Sequence, residues 1–119
     1  MAKVLIIEDE QITRTVLKKI VHDLGHETVE AVNGHDGLEK ISTERPDVVL
    51  TDLIMPEMDG ELMLSFLHLT HLHKNVIVIS ANVQNGIKEK CLGMGVFRFI
   101  DKPPDKKKIG EAIEEILNK

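Results

Sequence analysis

Apolar residues along the chain fall into two spacings. Short unbroken runs, Val4 to Ile7, Val48 to Leu50 and Val76 to Ile79, alternate with longer stretches in which apolar positions recur every three or four residues. Unbroken runs suit strands buried on both faces, and the longer spacing suits amphipathic helices, so the alternation predicts a parallel sheet covered by helices. Two more strands are expected at Thr28 to Val32 and at Phe97 to Ile100; the former carries Glu30 and is assigned to an edge. The first helix should carry Ile12, Val16, Leu17, Ile20 and Leu24 and stop at Gly25. Asn33 and Gly34 open the second, which carries Leu38 and Ile41 before Pro46 ends it. The third is expected from about Glu61 to Leu69, the fourth from about Asn85 to Met94 with Gly95 as its cap, and the fifth from about Asp105 to Leu117. Connections are short, and no repeat, low-complexity stretch or linker interrupts them. The pattern is therefore one (βα)5 unit over residues 1–119 with right-handed crossovers.

Composition narrows the picture without changing it. A chain of 119 residues with 42% hydrophobic content can build one core and has no room for a second domain. No apolar run reaches membrane-spanning length, and Met1-Ala2-Lys3-Val4 lacks a signal-peptide core, so a cytoplasmic protein with no membrane partner is expected. Cys91 is the single cysteine and is read as a small packing residue in a reducing compartment. The net charge of −5 disfavours a nucleic-acid partner. Lys106-Lys107-Lys108, the one basic run, is read as a solvated helix face.

Chemistry concentrates where apolar runs end. Val4 to Ile7 stops at Glu8-Asp9, Val48 to Leu50 is followed shortly by Asp52, Val76 to Ile79 by Ser80, and Phe97 to Ile100 by Asp101-Lys102-Pro103. In a parallel sheet these ends meet at one edge, where ligands bind. Glu8, Asp9 and Asp52 would then repel one another by about 4 kcal/mol per close pair at an effective dielectric of about 20. Either a carboxylate takes up a proton or a divalent cation binds, and hard oxygen ligands with room for water favour Mg2+ or Mn2+. Glu8 and Asp9 could also serve the N-terminus of the first helix. A carboxylate facing such a cation and a lysine can attack phosphorus, because metal and ammonium neutralise the phosphoryl oxygens. The product would be an aspartyl phosphate on Asp52. Ser80 could donate to a phosphoryl oxygen, or cap the fourth helix.

These residues, together with Met55-Pro56 and Asp59-Gly60, resemble over the whole length a response-regulator receiver domain of two-component signalling, of the stand-alone, chemotaxis-regulator type. The resemblance implies the flavodoxin-like fold, a doubly wound five-stranded parallel sheet in the order 2-1-3-4-5. It implies Asp52 as phosphoacceptor, Asp9 and Asp52 as direct metal ligands, Glu8 reaching the metal through water, and Ile54 contributing its backbone carbonyl. It further implies Lys102 as the phosphate-binding lysine, Ser80 and Phe99 as the conformational switch, and a cis Lys102-Pro103 bond. Implied partners are a histidine kinase or histidine phosphotransfer protein, and a target protein on the face of helix four, strand five and helix five. The protein would be a monomer or weak dimer and no enzyme beyond self-phosphorylation and slow self-dephosphorylation.

Some positions depart from that pattern. Glu8 stands where Asp is commoner, and Ser80 where Thr is as common, yet both keep the functional group. Ile54, at the pocket's mouth, cannot orient a water, so slow self-dephosphorylation is expected; Asn82 is the other mouth position and could offset part of this. Asp101 should turn away from the pocket. Pro104 replaces an apolar or aromatic residue, which leaves the start of helix five open. His68, His71 and His73 flank a helix end and are read as a solvated turn rather than zinc ligands. Met55, Met58, Met63 and Met94 are read as packing residues. With the last helix running to Lys119, output through protein contact is expected. Rival readings are a phosphorelay intermediate, a purely structural domain, and a magnesium-dependent phosphohydrolase, whose general acid would fall on Ile54.

Overall fold

Four consecutive aliphatic residues leave β1 (Lys3–Ile7) without a polar face, and Val4 through Ile7 are fully buried. Such a strand needs cover on both faces and partners on both edges. In the computed structural model, which describes residues 1–53, 60–70, 73, 75–81 and 86–119, β1 pairs in parallel with β2 (Glu27–Ala31) and β3 (Val48–Thr51). Beyond β3 come β4 (Val76–Ser80) and β5 (Arg98–Asp101), also parallel, giving the order β2-β1-β3-β4-β5. This is the expected doubly wound sheet, with β2 at an edge. The helices are α1 (Gln11–Asp23), α2 (Gly34–Glu44), α3 (Gly60–Thr70), α4 (Ile87–Gly93) and α5 (Lys106–Leu117).

Alternate strand residues feed two cores. Leu5, Ile7, Val49 and Val78 pack with Ile41 of α2, Met63, Leu64 and Leu67 of α3, and Ile87 and Cys91 of α4. Val4, Ile6, Val48, Leu50, Ile77 and Ile79 pack on the other side with Leu17 and Val21 of α1 and Ile109, Ala112, Ile113 and Ile116 of α5. Met63 and Cys91 are thus packing residues, as expected, and Met94 is partly buried against the same core. No helix among the described residues is long and apolar enough to cross a membrane.

Several boundaries move, each for a local reason. β2 ends at Ala31 rather than Val32, because the Val32 amide donates to Asp36 Oδ2 at the start of α2 instead of continuing the ladder. On α1, Ile12 and Val16 were expected on the inner face but are 75% and 43% exposed. They lie roughly 100–140° round the helix from Leu17, which with Val21 centres the buried stripe. α2 begins as expected: Asn33 accepts from the Asp36 amide at 2.8 Å, and Arg45 in a left-handed conformation ends the helix before Pro46. α4 is shorter than expected at its start, where Gly86 precedes it with φ of 82°; Asn85 lies outside the described residues. At α5 the uncertainty left by Pro104 is resolved by Asp105, whose carboxylate accepts from the amides of Lys107 and Lys108 at 2.9 and 3.2 Å. Lys106, Lys107 and Lys108 are exposed, as expected.

The start of α3 is pressed against the backbone that follows β3. The Gly60 amide donates to the Leu53 carbonyl at 2.6 Å. A Cβ at Gly60 would fall on the Asp52 carbonyl oxygen and 2.5 Å from the Leu53 Cα, both main-chain atoms that cannot swing aside. Gly60→Ala should therefore cost about 1–3 kcal/mol of stability. Gly93→Ala, where a Cβ meets nothing within 4 Å, should be neutral or stabilising by up to about 1 kcal/mol. Urea midpoints of the two variants test the contrast.

Candidate functional site

Main-chain hydrogen bonds run one residue past the strands and fix the residues that follow them. The Glu8 amide donates to Ala31 O at 3.0 Å, Asp52 to Ile7 O at 3.2 Å, and Lys102 to Ser80 O at 3.0 Å. These bonds lock the ends of all five strands at one edge of the sheet, among them the four whose polar residues the chain pattern brought together. Glu8 is 1% exposed, Asp52 is half-buried and Asp9 is exposed.

The carboxylates are held individually. Asp52 Oδ1 accepts from the Leu53 amide at 2.6 Å and Oδ2 from Lys102 Nζ at 2.9 Å. Lys102 Nζ also donates to Glu8 Oε1 at 3.1 Å, while Glu8 Oε2 accepts from the Glu10 amide at 3.2 Å. One ammonium thus bridges Glu8 and Asp52. Burial pushes the Glu8 carboxyl above the ordinary range, opposed by the Glu10 amide and Lys102. For Lys102 burial pulls downward, but hydrogen bonds to Asp52 and Glu8 outweigh it and the ammonium is held above its usual range.

One carboxylate oxygen from each of Glu8, Asp9 and Asp52 lies within 4.8 Å of the others, the one such cluster of potential metal ligands among the described residues. All are hard oxygens, and one ammonium cannot neutralise three carboxylates, so the donor set fits a divalent cation with water completing its shell. The Ile54 carbonyl, the Asn82 side chain, Met55, Pro56, Met58 and Asp59 lie outside the described residues. Ser80 is buried at the end of β4. Phe99, in β5 opposite Val78, is half-buried against the core beneath α2, α3 and α4. The Lys102–Pro103 bond is cis, as expected, and Asp101 is exposed.

A sequence-family model for the response regulator receiver domain matches residues 4–114. The chain belongs to the receiver domain family. Among relatives of this receiver is the chemotaxis protein CheY of Listeria monocytogenes, 37% identical over 116 residues, covering 97% of the chain and 98% of the relative. Another is sporulation initiation phosphotransferase F of Bacillus subtilis, 30% identical over 115 residues, covering 97% and 93%. A solved receiver domain from Clostridium thermocellum superposes with a TM-score of 0.91 at 26% identity, covering 99% of this chain and 95% of that one. The receiver is a phosphorylation-activated switch of two-component signalling.

Residues that the chain pattern did not single out also touch this edge. Arg14 of α1 donates through Nη1 to the Glu8 carbonyl at 2.8 Å and through Nε to Glu30 Oε1 at 3.2 Å. Buried Thr51 donates to the Asp52 carbonyl at 2.9 Å. An arginine one turn after a strand-end acid pair, facing an acid in the neighbouring strand, was the available signal. Of the histidines singled out along the chain, His73 engages Pro46 O through Nε2 at 2.8 Å and accepts from the Asn75 amide through Nδ1, and His68 is exposed, while His71 lies outside the described residues.

Lys102→Met leaves Glu8 and Asp52 without their shared cation and should cost about 2–3 kcal/mol. Burial already raises the Glu8 carboxyl and Lys102 opposes that rise, so without the ammonium folded Glu8 holds its proton more strongly than the unfolded chain does, and the deficit should be larger at neutral pH than in mild acid. Millimolar Mg2+ should reduce it. Urea unfolding across pH, with Mg2+ and with chelator, checks all three; a deficit indifferent to Mg2+ would remove the electrostatic account.

Proposed function

We propose that Asp52 accepts a phosphoryl group from the phosphohistidine of a kinase or phosphotransfer protein in a Mg2+-dependent step, and that the change in affinity for a protein target follows. The observation that carries this reading is the pair of fixed donors on the Asp52 carboxylate, the Leu53 amide at 2.6 Å and Lys102 Nζ at 2.9 Å, beside the acids Glu8 and Asp9. Glu8, Asp9 and Asp52, with the Ile54 carbonyl and Glu8 acting through water, are the groups that would hold Mg2+ or Mn2+. When bound, the cation supplies charge neutralisation on the phosphoryl oxygens. An Asp52 oxygen attacks phosphorus as the P–N bond breaks. The electron pair stays on the donor's imidazole nitrogen, which then takes a proton from solvent. Lys102 exchanges its carboxylate partners for a phosphoryl oxygen.

The new dianion would draw in the Ser80 hydroxyl as well, with Phe99 moving into the space it leaves, so that the altered surface is α4, β5 and α5. Moving a two-state equilibrium from 1:99 to 99:1 takes about 5.5 kcal/mol. Two charge-assisted hydrogen bonds at about 1.5–3 kcal/mol each are of that size. A cytoplasmic monomer or weak dimer suits this role. The resemblance to a phosphotransferase of sporulation supports a second reading, in which Asp52 hands the phosphoryl group to another histidine.

Radiolabelled acetyl phosphate should label the protein with Mg2+ and not with chelator, and Asp52→Asn should not label; label retained by Asp52→Asn would place the acceptor elsewhere. Self-dephosphorylation is proposed to be slow because an isoleucine at position 54 cannot orient water. Ile54→Asn should shorten the phosphoryl half-life several-fold, and an unchanged or longer half-life would reject that explanation. Under beryllofluoride and Mg2+, amide resonances of α4 and β5 should shift; silence there would remove the switch.

A further inference from the structure

The Arg14 side chain runs back from the first turn of α1 over the end of β1. Its Nη1 donates to the Glu8 carbonyl at 2.8 Å and reaches the Asp9 carbonyl at 3.5 Å. Its Nε donates to Glu30 Oε1 at 3.2 Å, while Glu30 Oε2 is held by Lys18 at 3.3 Å. The Arg14 side chain is 15% exposed, less than the 22% of Lys102 in the pocket. Withdrawing a guanidinium that far from water is unfavourable unless its donors are used, and here one planar group spans three acceptors in fixed directions.

The acceptors matter for the pocket. The carbonyls of Glu8 and Asp9 follow the last β1 ladder position, Ile7. A change in ψ at Glu8, which its carbonyl reports, would turn the chain that follows and carry the Asp9 carboxylate away from those of Glu8 and Asp52. Among the described residues the turn is otherwise held by the Glu8 amide on Ala31 O and, through the Glu8 carboxylate, by the Glu10 amide and Lys102, and no side chain caps the N-terminus of α1. We infer that Arg14, anchored by Glu30 of the edge strand, is a positioning residue that fixes the Glu8–Asp9 turn and so sets where the metal-binding carboxylates point. The inference rests on the proposed reading of Glu8, Asp9 and Asp52 as the Mg2+ site. It also gives Glu30, the acid that marks β2 as an edge strand, a part in the pocket.

The test is Mg2+ affinity by titration calorimetry, set beside urea stability and amide exchange of the cation-free protein. Arg14→Met should weaken Mg2+ binding about ten-fold, the size found when outer partners of metal ligands are removed. In the same variant the Glu10 amide should exchange faster. Arg14→Lys keeps the charge but has one nitrogen for both the Glu8 carbonyl and Glu30, so it should recover stability and not affinity. Glu30→Gln should be intermediate. Lys18→Met, which loses the other Glu30 contact without touching the turn, should bind Mg2+ as wild type does. Wild-type affinity in Arg14→Met, full recovery of affinity by Arg14→Lys, or affinity that tracks stability across the set would each overturn the inference. A wild-type protein that bound no Mg2+ would sink the reading of the pocket and this inference together, whereas wild-type binding matched by Arg14→Lys would sink this inference alone.

Discussion

Folding brings Glu8 and Asp52 out of water and within reach of a single ammonium group, Lys102 Nζ, at 3.1 and 2.9 Å. A parallel sheet makes this crowding unavoidable, because every strand delivers its C-terminal residue to the same edge. β1 and β3 are neighbours, so the acids that follow them meet at once. Lys102 follows β5, on the far side of β4, and only a long unbranched side chain crosses that distance. Three carboxylates against one ammonium leave an excess of two negative charges among the clustered groups, which a divalent cation would offset in a way that one lysine cannot.

The frame round this pocket is rigid where the chemistry needs it. β3 and β4 are buried along their whole length, and hydrogen bonds from Asp52 and Lys102 extend the ladder by one residue. Gly60 lets α3 start in contact with the main chain of Asp52 and Leu53. Separation of the helices into two layers has a further consequence. α1 and α5 share one core, and α2, α3 and α4 the other, with Phe99 half-buried at the second. The face of α4, β5 and α5 proposed to change therefore draws on both layers, which meet at β5 through Phe99 on one side and Ile100 on the other.

Much of this was legible along the chain. Unbroken apolar runs located the central strands because strands covered on both faces tolerate no polar position. The acids and the lysine stood out because nothing in core packing explains them at those points. Glu30 likewise marked β2 as the edge. Helix faces were less legible. Ile12 and Val16 match a three- and four-residue spacing, yet that spacing alone does not say which stripe meets the sheet, and Leu17 with Val21 takes the inner side. The end of β2 also turned on one distant acceptor, Asp36 Oδ2, that captured the Val32 amide.

By itself, then, the sequence determined the order of strands and helices, the residues that end them and the charges to be reconciled there, because these depend on local periodicity and on polarity at single positions. Only the tertiary structure decided which carboxylate is deepest, how Lys102 divides its donors, and that Arg14 grips the Glu8 carbonyl while Glu30 grips Arg14. Those are relations between groups on different elements, set by the pairing of β1, β3, β4 and β5 and by the seating of α1 over β1 and β2. No spacing along the chain encodes the distance between them.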